Sequence, residues 1–107
     1  MHTSNSHNNV SIRLTDERWQ HIVRGHPEME SQQSEVLQTI REPDRIQKGD
    51  SGELLAVRQY AKTPVTTDKF LIVAYRETSS DDGFIITAYF SSRISLRRAT
   101  LWTRFNS

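Results

Sequence analysis

Residues 69–94, KFLIVAYRETSSDDGFIITAYFSSRI, consist of two apolar runs on either side of the polar segment TSSDDG. Runs rich in Val, Ile, Phe and Tyr predict β-strands, and the Asp-Gly pair between them predicts an antiparallel hairpin. If Asp82 and Gly83 are the two central residues of the turn, Arg76 pairs with Tyr89 and Thr78 with Thr87. This hairpin is the centre of the fold predicted from the sequence.

The predicted register sorts the hairpin onto two faces. The first face is apolar and is expected to form the core: Leu71, Val73, Tyr75, Ile86, Ala88 and Phe90. The preceding strand, ELLAVRQY at 53–60, is expected to add Leu55 and Val57 to the core and to turn Ala56 and Arg58 to the other face. The second face is therefore predicted to be concave and polar, and to hold Arg58, Arg76, Thr87 and Tyr89.

The segment before the sheet predicts two helices. VSIRLTDERWQHIVRGHP, residues 10–27, begins with a short strand and continues as a helix capped by Thr15. A second helix is expected from Ser31 or Ser34 to about Arg41, and Arg45–Lys48 is expected to be the first strand of the sheet. The predicted fold is α+β, with two N-terminal helices packed on a four-stranded antiparallel sheet.

Length and composition limit the possible classes of protein. The chain has 107 residues, which fits one domain at 10–107 after a polar leader, MHTSNSHNN at 1–9, that is expected to be disordered. It has no cysteine, which excludes disulfides and thiolate chemistry. No stretch approaches the roughly 18 apolar residues of a membrane span. We therefore expect a cytoplasmic protein without a membrane partner.

The charge is small in total and uneven along the chain. A net charge of +1 argues against a protein that is held on nucleic acid by bulk positive charge. Residues 84–107, however, contain no acid and four arginines: Arg93, Arg97, Arg98 and Arg104. This segment predicts either a solvated basic tail or a patch that faces phosphates.

His26 is the first candidate for chemistry, because an imidazole titrates near neutrality and Gly25 and Pro27 restrict the backbone around it. The alternative is a structural histidine at the end of a helix, where it bonds the last carbonyls. His21 is expected to face solvent, and its spacing from His26 disfavours a shared metal site.

Arg58 and Arg76 are candidates for binding an anion, since a guanidinium suits a phosphate whose charge increases in a transition state. The alternative is structural pairing, with Glu53 and Glu77 as possible partners. Thr87 and Tyr89 are common strand residues, but together with the arginines they can orient a phosphate and stack a base.

The order of these motifs resembles the phage-associated nucleases of the Barnase, EndoU, colicin and RelE (BECR-fold) superfamily. The resemblance covers roughly residues 14–104, and its most specific parts are His26-Pro27-Glu28 and the stretch from Gly83 to Arg93. Members are small α+β domains with two helices on a four-stranded antiparallel sheet. The better-known ones cleave RNA without a metal, and many act as toxins that a cognate antitoxin or immunity protein neutralises.

The resemblance implies that His26, Arg58 and Thr87 are catalytic. It also implies that four residues bind substrate: Arg76, Tyr89, Ser92 and Arg93. The activity it implies is metal-independent and cofactor-free cleavage of RNA, in which the 2′-hydroxyl attacks the adjacent phosphate and a 2′,3′-cyclic phosphate forms. Two other hypotheses remain open at this point. One is a non-catalytic module that binds RNA or protein, such as an antitoxin or adaptor, and the other is a metal-dependent hydrolase.

Overall fold

The computed structural model describes residues 1–62 and 67–104. It contains two α-helices, α1 (Asp16–Gly25) and α2 (Gln33–Arg41), with a 3₁₀ helix at Pro27–Met29 between them. The strands are β1 (His2–Asn5), β2 (Ser11–Leu14), β3 (Arg45–Lys48), β4 (Leu54–Lys62), β5 (Thr67–Glu77), β6 (Gly83–Ser91) and β7 (Thr100–Thr103). Neither helix within the described ranges has the length and apolar character needed to cross a membrane.

The sheet differs from the predicted one. Its seven strands have the order β1-β2-β6-β5-β4-β3-β7, and it is mixed, because β2 runs parallel to β6 while the other neighbours are antiparallel. The prediction of two helices on a four-stranded antiparallel sheet was therefore wrong. The four predicted sheet strands form the central part, β6-β5-β4-β3. The short strand predicted before the first helix is β2, which was not expected to join this sheet, and β1 was not predicted.

Residues 2–5 belong to this sheet as β1, and a turn joins them to β2, although a disordered leader was expected at 1–9. β1 pairs with β2 from His2 opposite Leu14 to Asn5 opposite Ser11. The turn between them closes with a hydrogen bond from the Ser6 N–H to the Val10 carbonyl at 2.8 Å, and Asn9 has a φ of 62° there. Polar side chains attach the segment to the rest of the molecule, since the Ser4 hydroxyl donates to the Leu37 carbonyl at 2.8 Å.

One face of the sheet, which we call the helix face, packs against α1, the 3₁₀ helix and α2. The helices contribute four buried side chains: Ile22, Met29, Val36 and Ile40. The strands contribute a larger set: Ile12, Leu14, Ala56, Leu71, Val73, Tyr75, Ile85 and Ala88. Burying apolar side chains of this size stabilises the fold by about 1.5–3 kcal/mol each. Through Ile22 and Met29, this core holds the end of α1 and the 3₁₀ helix against the sheet.

The opposite face, which we call the loop face, is crossed by residues 92–99 on their way from β6 to β7. Ile94 packs there on a second apolar cluster formed by Leu55, Val57, Ile72 and Ala74. The Gln47 side chain donates to the Ser95 carbonyl at 2.8 Å and holds the crossing segment down. Leu55 and Val57 were predicted to lie on the face that packs against the helices, but they lie on the loop face. The prediction failed because β4 has apolar residues on both faces, so alternation does not specify its orientation.

The predicted register of the β5–β6 hairpin was also wrong. Arg76 pairs with Phe84 rather than Tyr89, and the turn covers Thr78–Asp82 because Glu77 already pairs with Gly83. The register shifts between Ala74 and Tyr75, where Ile86 is the extra residue of a bulge. The bulge places Ile85 in the core and Ile86 on the loop face.

Gly83 begins β6 at a crowded point between β2 and β5. A Cβ atom there would lie 2.3 Å from the Arg76 carbonyl oxygen and 2.7 Å from Ile12 Cδ1. The preceding carboxylate, Asp82, accepts two hydrogen bonds from the Arg13 guanidinium, at 2.8 and 3.1 Å. A glycine is therefore needed at position 83 because the strands approach closely there. Asp82 pairs with Arg13 of β2, so neither residue serves the two-residue turn that the sequence predicted.

The Arg13–Asp82 pair predicts a dependence of stability on pH. The hydrogen bond from Arg13 lowers the pKa of Asp82, so the pair contributes stability above the unfolded-state pKa of about 3.9 and loses it as pH falls through the lower folded-state pKa. We expect the difference in unfolding free energy between the wild type and Asp82→Asn to shrink when urea denaturation at pH 6 is repeated at about pH 3. A difference that is constant with pH would contradict this assignment.

Candidate active site

His26 lies where α1 ends and the 3₁₀ helix begins, and its backbone is held from both sides. Its N–H donates to the Ile22 carbonyl at 2.7 Å, and its own carbonyl accepts from the Met29 N–H at 2.9 Å. Met29 is fully buried in the core of the helix face. Gly25 is helical without a positive φ, so the helix ends at His26 and Pro27 rather than at a left-handed glycine.

The His26 side chain lies between a carboxylate and an aromatic ring. Its Nδ1 is 3.7 Å from Glu28 Oε1, and its ring centroid is 5.9 Å from that of Tyr89, with the two ring planes tilted by 30°. The side chain remains 40% exposed. Glu28 occupies the Nδ1 side of the ring, and no residue in the described parts of the chain forms a hydrogen bond with Nε2. The imidazole can therefore exchange a proton with a molecule in solvent.

Tyr89 and Thr87 are presented by β6 on the loop face. Tyr89 packs against the apolar cluster of that face, and its strand partner is Ile72. Thr87 lies two residues away on the same side of β6, opposite Ala74, and both side chains are partly buried. We call His26, Glu28, Thr87 and Tyr89 the His26 site. Of the residues predicted to act together, the structure brings His26 and Tyr89 into contact, and Thr87 lies two residues from Tyr89 on the same face of β6.

Arg58 lies elsewhere. It follows Ala56 by two residues on β4, and this alternation places it on the helix face rather than the loop face. Its Nη1 donates to the Glu42 carbonyl at 2.6 Å, just beyond the end of α2, and its guanidinium lies 5.8 Å from the Tyr60 ring centroid. These contacts bind the charge to the negative end of a helix and to an aromatic ring. The predicted polar face that combined Arg58 with Thr87 and Tyr89 does not exist.

Arg76 shares the loop face with Tyr89 but is separated from it along the strands. Arg76 is four positions along β5 from Ile72, the partner of Tyr89, which corresponds to about 13 Å. The Arg76 Nη2 donates to the Ser51 carbonyl at 2.6 Å, in the turn between β3 and β4. Its side chain therefore extends toward that turn and away from the edge that carries His26.

Ser92 and Arg93 begin the crossing segment at the end of β6, where both are exposed. The Ser91 hydroxyl donates to the Arg93 carbonyl at 2.7 Å and accepts from the Arg93 N–H at 3.3 Å. This turn fixes the backbone of Arg93 four residues beyond Tyr89. Arg93 is thus a cation at the same end of β6 as the His26 site.

Glu28 is a residue of the site for which the sequence predicted no role. The 3₁₀ helix that starts at Pro27 brings a carboxylate two positions after His26 back to its ring. The signal in the sequence was the pattern His-Pro-Glu, since proline favours the first position of such a turn. His21 is exposed on α1, as expected. Within residues 1–62 and 67–104, no three side chains of His, Asp or Glu come together as ligands for a metal.

The position of Arg58 gives a prediction that differs from the one made by sequence alone. Arg58→Ala is expected to lower the free energy of unfolding by about 1–2 kcal/mol, because the bond to the Glu42 carbonyl and the contact with Tyr60 are lost. It is expected to leave the geometry of the His26 site intact. Urea denaturation measures the first effect, and an unchanged ring contact of His26 with Tyr89 in NMR spectra tests the second. A stability equal to that of the wild type would contradict the structural role.

The chain was compared with protein-family models, with curated proteins and with solved structures, and none of them matches.

Proposed function

We propose that this protein is an endoribonuclease that cleaves RNA at the His26 site without a metal ion. In this proposal the ribose 2′-hydroxyl attacks the adjacent phosphate, and the products are a 2′,3′-cyclic phosphate and a free 5′-hydroxyl. The observation that supports it best is the imidazole of His26, which is 40% exposed and lies between the Glu28 carboxylate and the Tyr89 ring. Hydrogen bonds of the His26 backbone hold the residue in this position. The likeness of His26-Pro27-Glu28 and Gly83–Arg93 to nuclease motifs, which include the same residues, also supports the proposal.

His26 is proposed to move the protons of the reaction. Its free Nε2 accepts the proton of the 2′-hydroxyl, and the imidazolium that forms gives a proton to the leaving 5′-oxygen. Glu28, on the Nδ1 side, orients the ring and stabilises its charged form during the reaction. General acid–base catalysis of this kind typically contributes a factor of about 10²–10⁴ to the rate.

The remaining residues of the site are proposed to bind the substrate. The partly buried Tyr89 ring offers a surface on which a base next to the cleaved bond can stack, and the Thr87 hydroxyl is a hydrogen-bond donor for a phosphate oxygen. Ser92 and Arg93 are proposed to bind the phosphate, a role that had also been predicted for Arg58. They directly follow the end of β6 that carries Tyr89, whereas Arg58 lies elsewhere. Arg76 has no part in the reacting centre because its guanidinium is directed to Ser51.

A product analysis tests the proposed activity. An RNA oligonucleotide incubated with the protein in EDTA is expected to give fragments that end in a 2′,3′-cyclic phosphate. The same sequence with 2′-O-methyl groups is expected to bind and remain intact, because it has no attacking hydroxyl. Cleavage of both oligonucleotides, or cleavage that EDTA abolishes, would contradict the mechanism. Binding of RNA without any cleavage would instead support a non-catalytic module.

A toxin-like role in the cytoplasm is part of the proposal. A ribonuclease of this kind requires a neutralising antitoxin or immunity protein where it is made, and such a partner inhibits most directly by covering His26 and Tyr89. Cells that express the wild type are expected to grow more slowly than cells that express His26→Ala. Equal growth at equal protein levels would argue against toxicity.

A further inference from the structure

A second cationic site lies away from His26, between the crossing segment and the β3–β4 turn. There the structure has a cavity of about 390 Å³, lined by Lys48, Gly49, Asp50, Ser95, Arg97, Arg98 and Ala99. We infer that this cavity, which we call the Arg97 pocket, binds a backbone phosphate of the same RNA strand whose cleavage is proposed at His26. The inference rests on the proposed function and names how the substrate is held.

The walls of the Arg97 pocket are fixed by hydrogen bonds. The Lys48 N–H donates to the Ala99 carbonyl at 2.9 Å, which joins the end of β3 to the end of the crossing segment. The Arg97 N–H donates to the Ser95 hydroxyl at 3.3 Å, and the Ser95 carbonyl accepts from the buried Gln47 side chain at 2.8 Å. Because the backbone is already ordered, binding a phosphate there costs little conformational entropy.

The charges of the pocket are only partly neutralised. Arg98 forms two hydrogen bonds with Asp50, at 3.0 and 3.3 Å, and these two residues compensate each other. Lys48 and Arg97 are exposed, and neither side chain has an ion pair or hydrogen bond with another residue that the structure describes. Three cations and one carboxylate leave a formal charge of +2 in the lining. Two cations that have no ion pair or hydrogen bond with any described residue, beside a fixed cavity, favour a phosphate as the ligand.

The Arg97 pocket is close enough to the His26 site for one RNA strand to occupy both. Lys48 pairs with Leu54, Leu54 with Tyr75 and Tyr75 with Ile85, so Lys48 lies three strand spacings from Ile85 on β6. Ile85 is four residues along β6 from Tyr89. These offsets amount to about 20 Å. An RNA strand of several nucleotides covers that distance, whereas a dinucleotide does not. In this proposal, the acid-free segment 84–107 binds RNA through Arg97.

The test compares long and short ligands that the protein does not cleave. The wild type is expected to bind a 2′-O-methyl oligonucleotide of roughly twelve residues more tightly than a trinucleotide, because only the longer one reaches the pocket. The double variant Lys48→Gln/Arg97→Gln is expected to lose about tenfold in affinity for the long oligonucleotide. Its slope of log affinity against log salt should decrease by about 1.4, which corresponds to two lost contacts with single-stranded phosphates.

The matched control is Arg24→Gln/Arg41→Gln, which removes the same charge from exposed positions on α1 and α2. It is expected to keep the preference for the long oligonucleotide. Equal losses in both double variants would mean bulk electrostatics and would overturn the pocket, as would an unchanged preference in Lys48→Gln/Arg97→Gln. If inorganic phosphate or an oligoglutamate of equal charge displaces the long oligonucleotide as well as RNA does, the site binds a free anion or an acidic protein instead. Cleavage of RNA that persists with any of these results leaves the proposed activity standing while the Arg97 pocket fails.

Discussion

Replacement of His26 by alanine is expected to lower the rate of RNA cleavage in EDTA by about 10²- to 10⁴-fold. The variant loses the imidazole, the group of the His26 site that is proposed to accept a proton from the 2′-hydroxyl and to return one to the leaving oxygen. Its effect on folding should be small, since the side chain is 40% exposed and its backbone bonds do not depend on the ring. Initial rates with a fluorescent RNA substrate measure the loss, and urea denaturation checks that the variant is folded.

The matched control is His21→Ala, which removes an exposed imidazole from the same helix. It is expected to cleave RNA like the wild type. Tyr89→Phe keeps the ring beside His26 and should retain most of the activity, whereas Tyr89→Ala removes the stacking surface and should weaken substrate binding by about 1–3 kcal/mol. Wild-type rates in His26→Ala would rule out the proposed site even if the protein cleaves RNA.

The largest effect on stability is expected at Gly83. Gly83→Ala places a Cβ 2.3 Å from the Arg76 carbonyl oxygen, and the backbone of two paired strands cannot move aside as a flexible side chain can. We expect the free energy of unfolding to fall by about 3 kcal/mol. In a domain of this size each kcal/mol lowers the melting temperature by about 4–8 °C, so a calorimetric or fluorescence melt detects the change.

Gly25→Ala serves as the comparison for Gly83→Ala. A Cβ at Gly25 meets nothing within 4 Å, and the residue is helical, so alanine there is expected to be neutral or to stabilise by up to about 1 kcal/mol. If Gly83→Ala is no less stable than Gly25→Ala, then β2, β5 and β6 are not as closely packed at this junction as the structure has them. The parallel pairing of β2 with β6 would then be in doubt as well.

Local signals predicted the helices well. Thr15 caps α1, with its hydroxyl accepting from the Arg18 N–H at 3.1 Å, and Ile22 is buried as its position in the apolar stripe indicated. The end of α2 at Arg41 and the start of β3 at Arg45 were also predicted. These features depend on residues close together in the chain, where capping and periodicity act directly.

The pairing of the strands could not be predicted, because it depends on distant residues. β4 and β5 bury apolar side chains on both faces, so the helix face takes Ala56 and Val73 while the loop face takes Leu55 and Ile72. A pattern without alternation does not distinguish the two arrangements. β1 escaped detection for a different reason, since His2–Asn5 is polar and becomes a strand only through pairing with β2.

These errors of register explain which part of the site could be predicted. Thr87 and Tyr89 lie two residues apart on β6, so their common face survived the wrong pairing. Arg58 was predicted to lie on that face only because β4 was assumed to turn Leu55 and Val57 toward the helices. In the structure β4 has the opposite orientation, and Arg58 lies beside the end of α2. The contact of His26 with Tyr89 depends on how α1 lies along the edge of β6, for which the sequence offers no local signal.

The most direct test of the central claim is an NMR titration of the protein with a 2′-O-methyl RNA oligonucleotide that cannot be cleaved. If RNA binds at the His26 site with its reacting phosphate near the imidazole, the ring signals of His26 and Tyr89 shift with added oligonucleotide, and those of His21 do not. If the His26 and Tyr89 signals stay in place while the oligonucleotide binds, the RNA lies elsewhere on the protein and the assignment of His26 as its catalytic group is wrong.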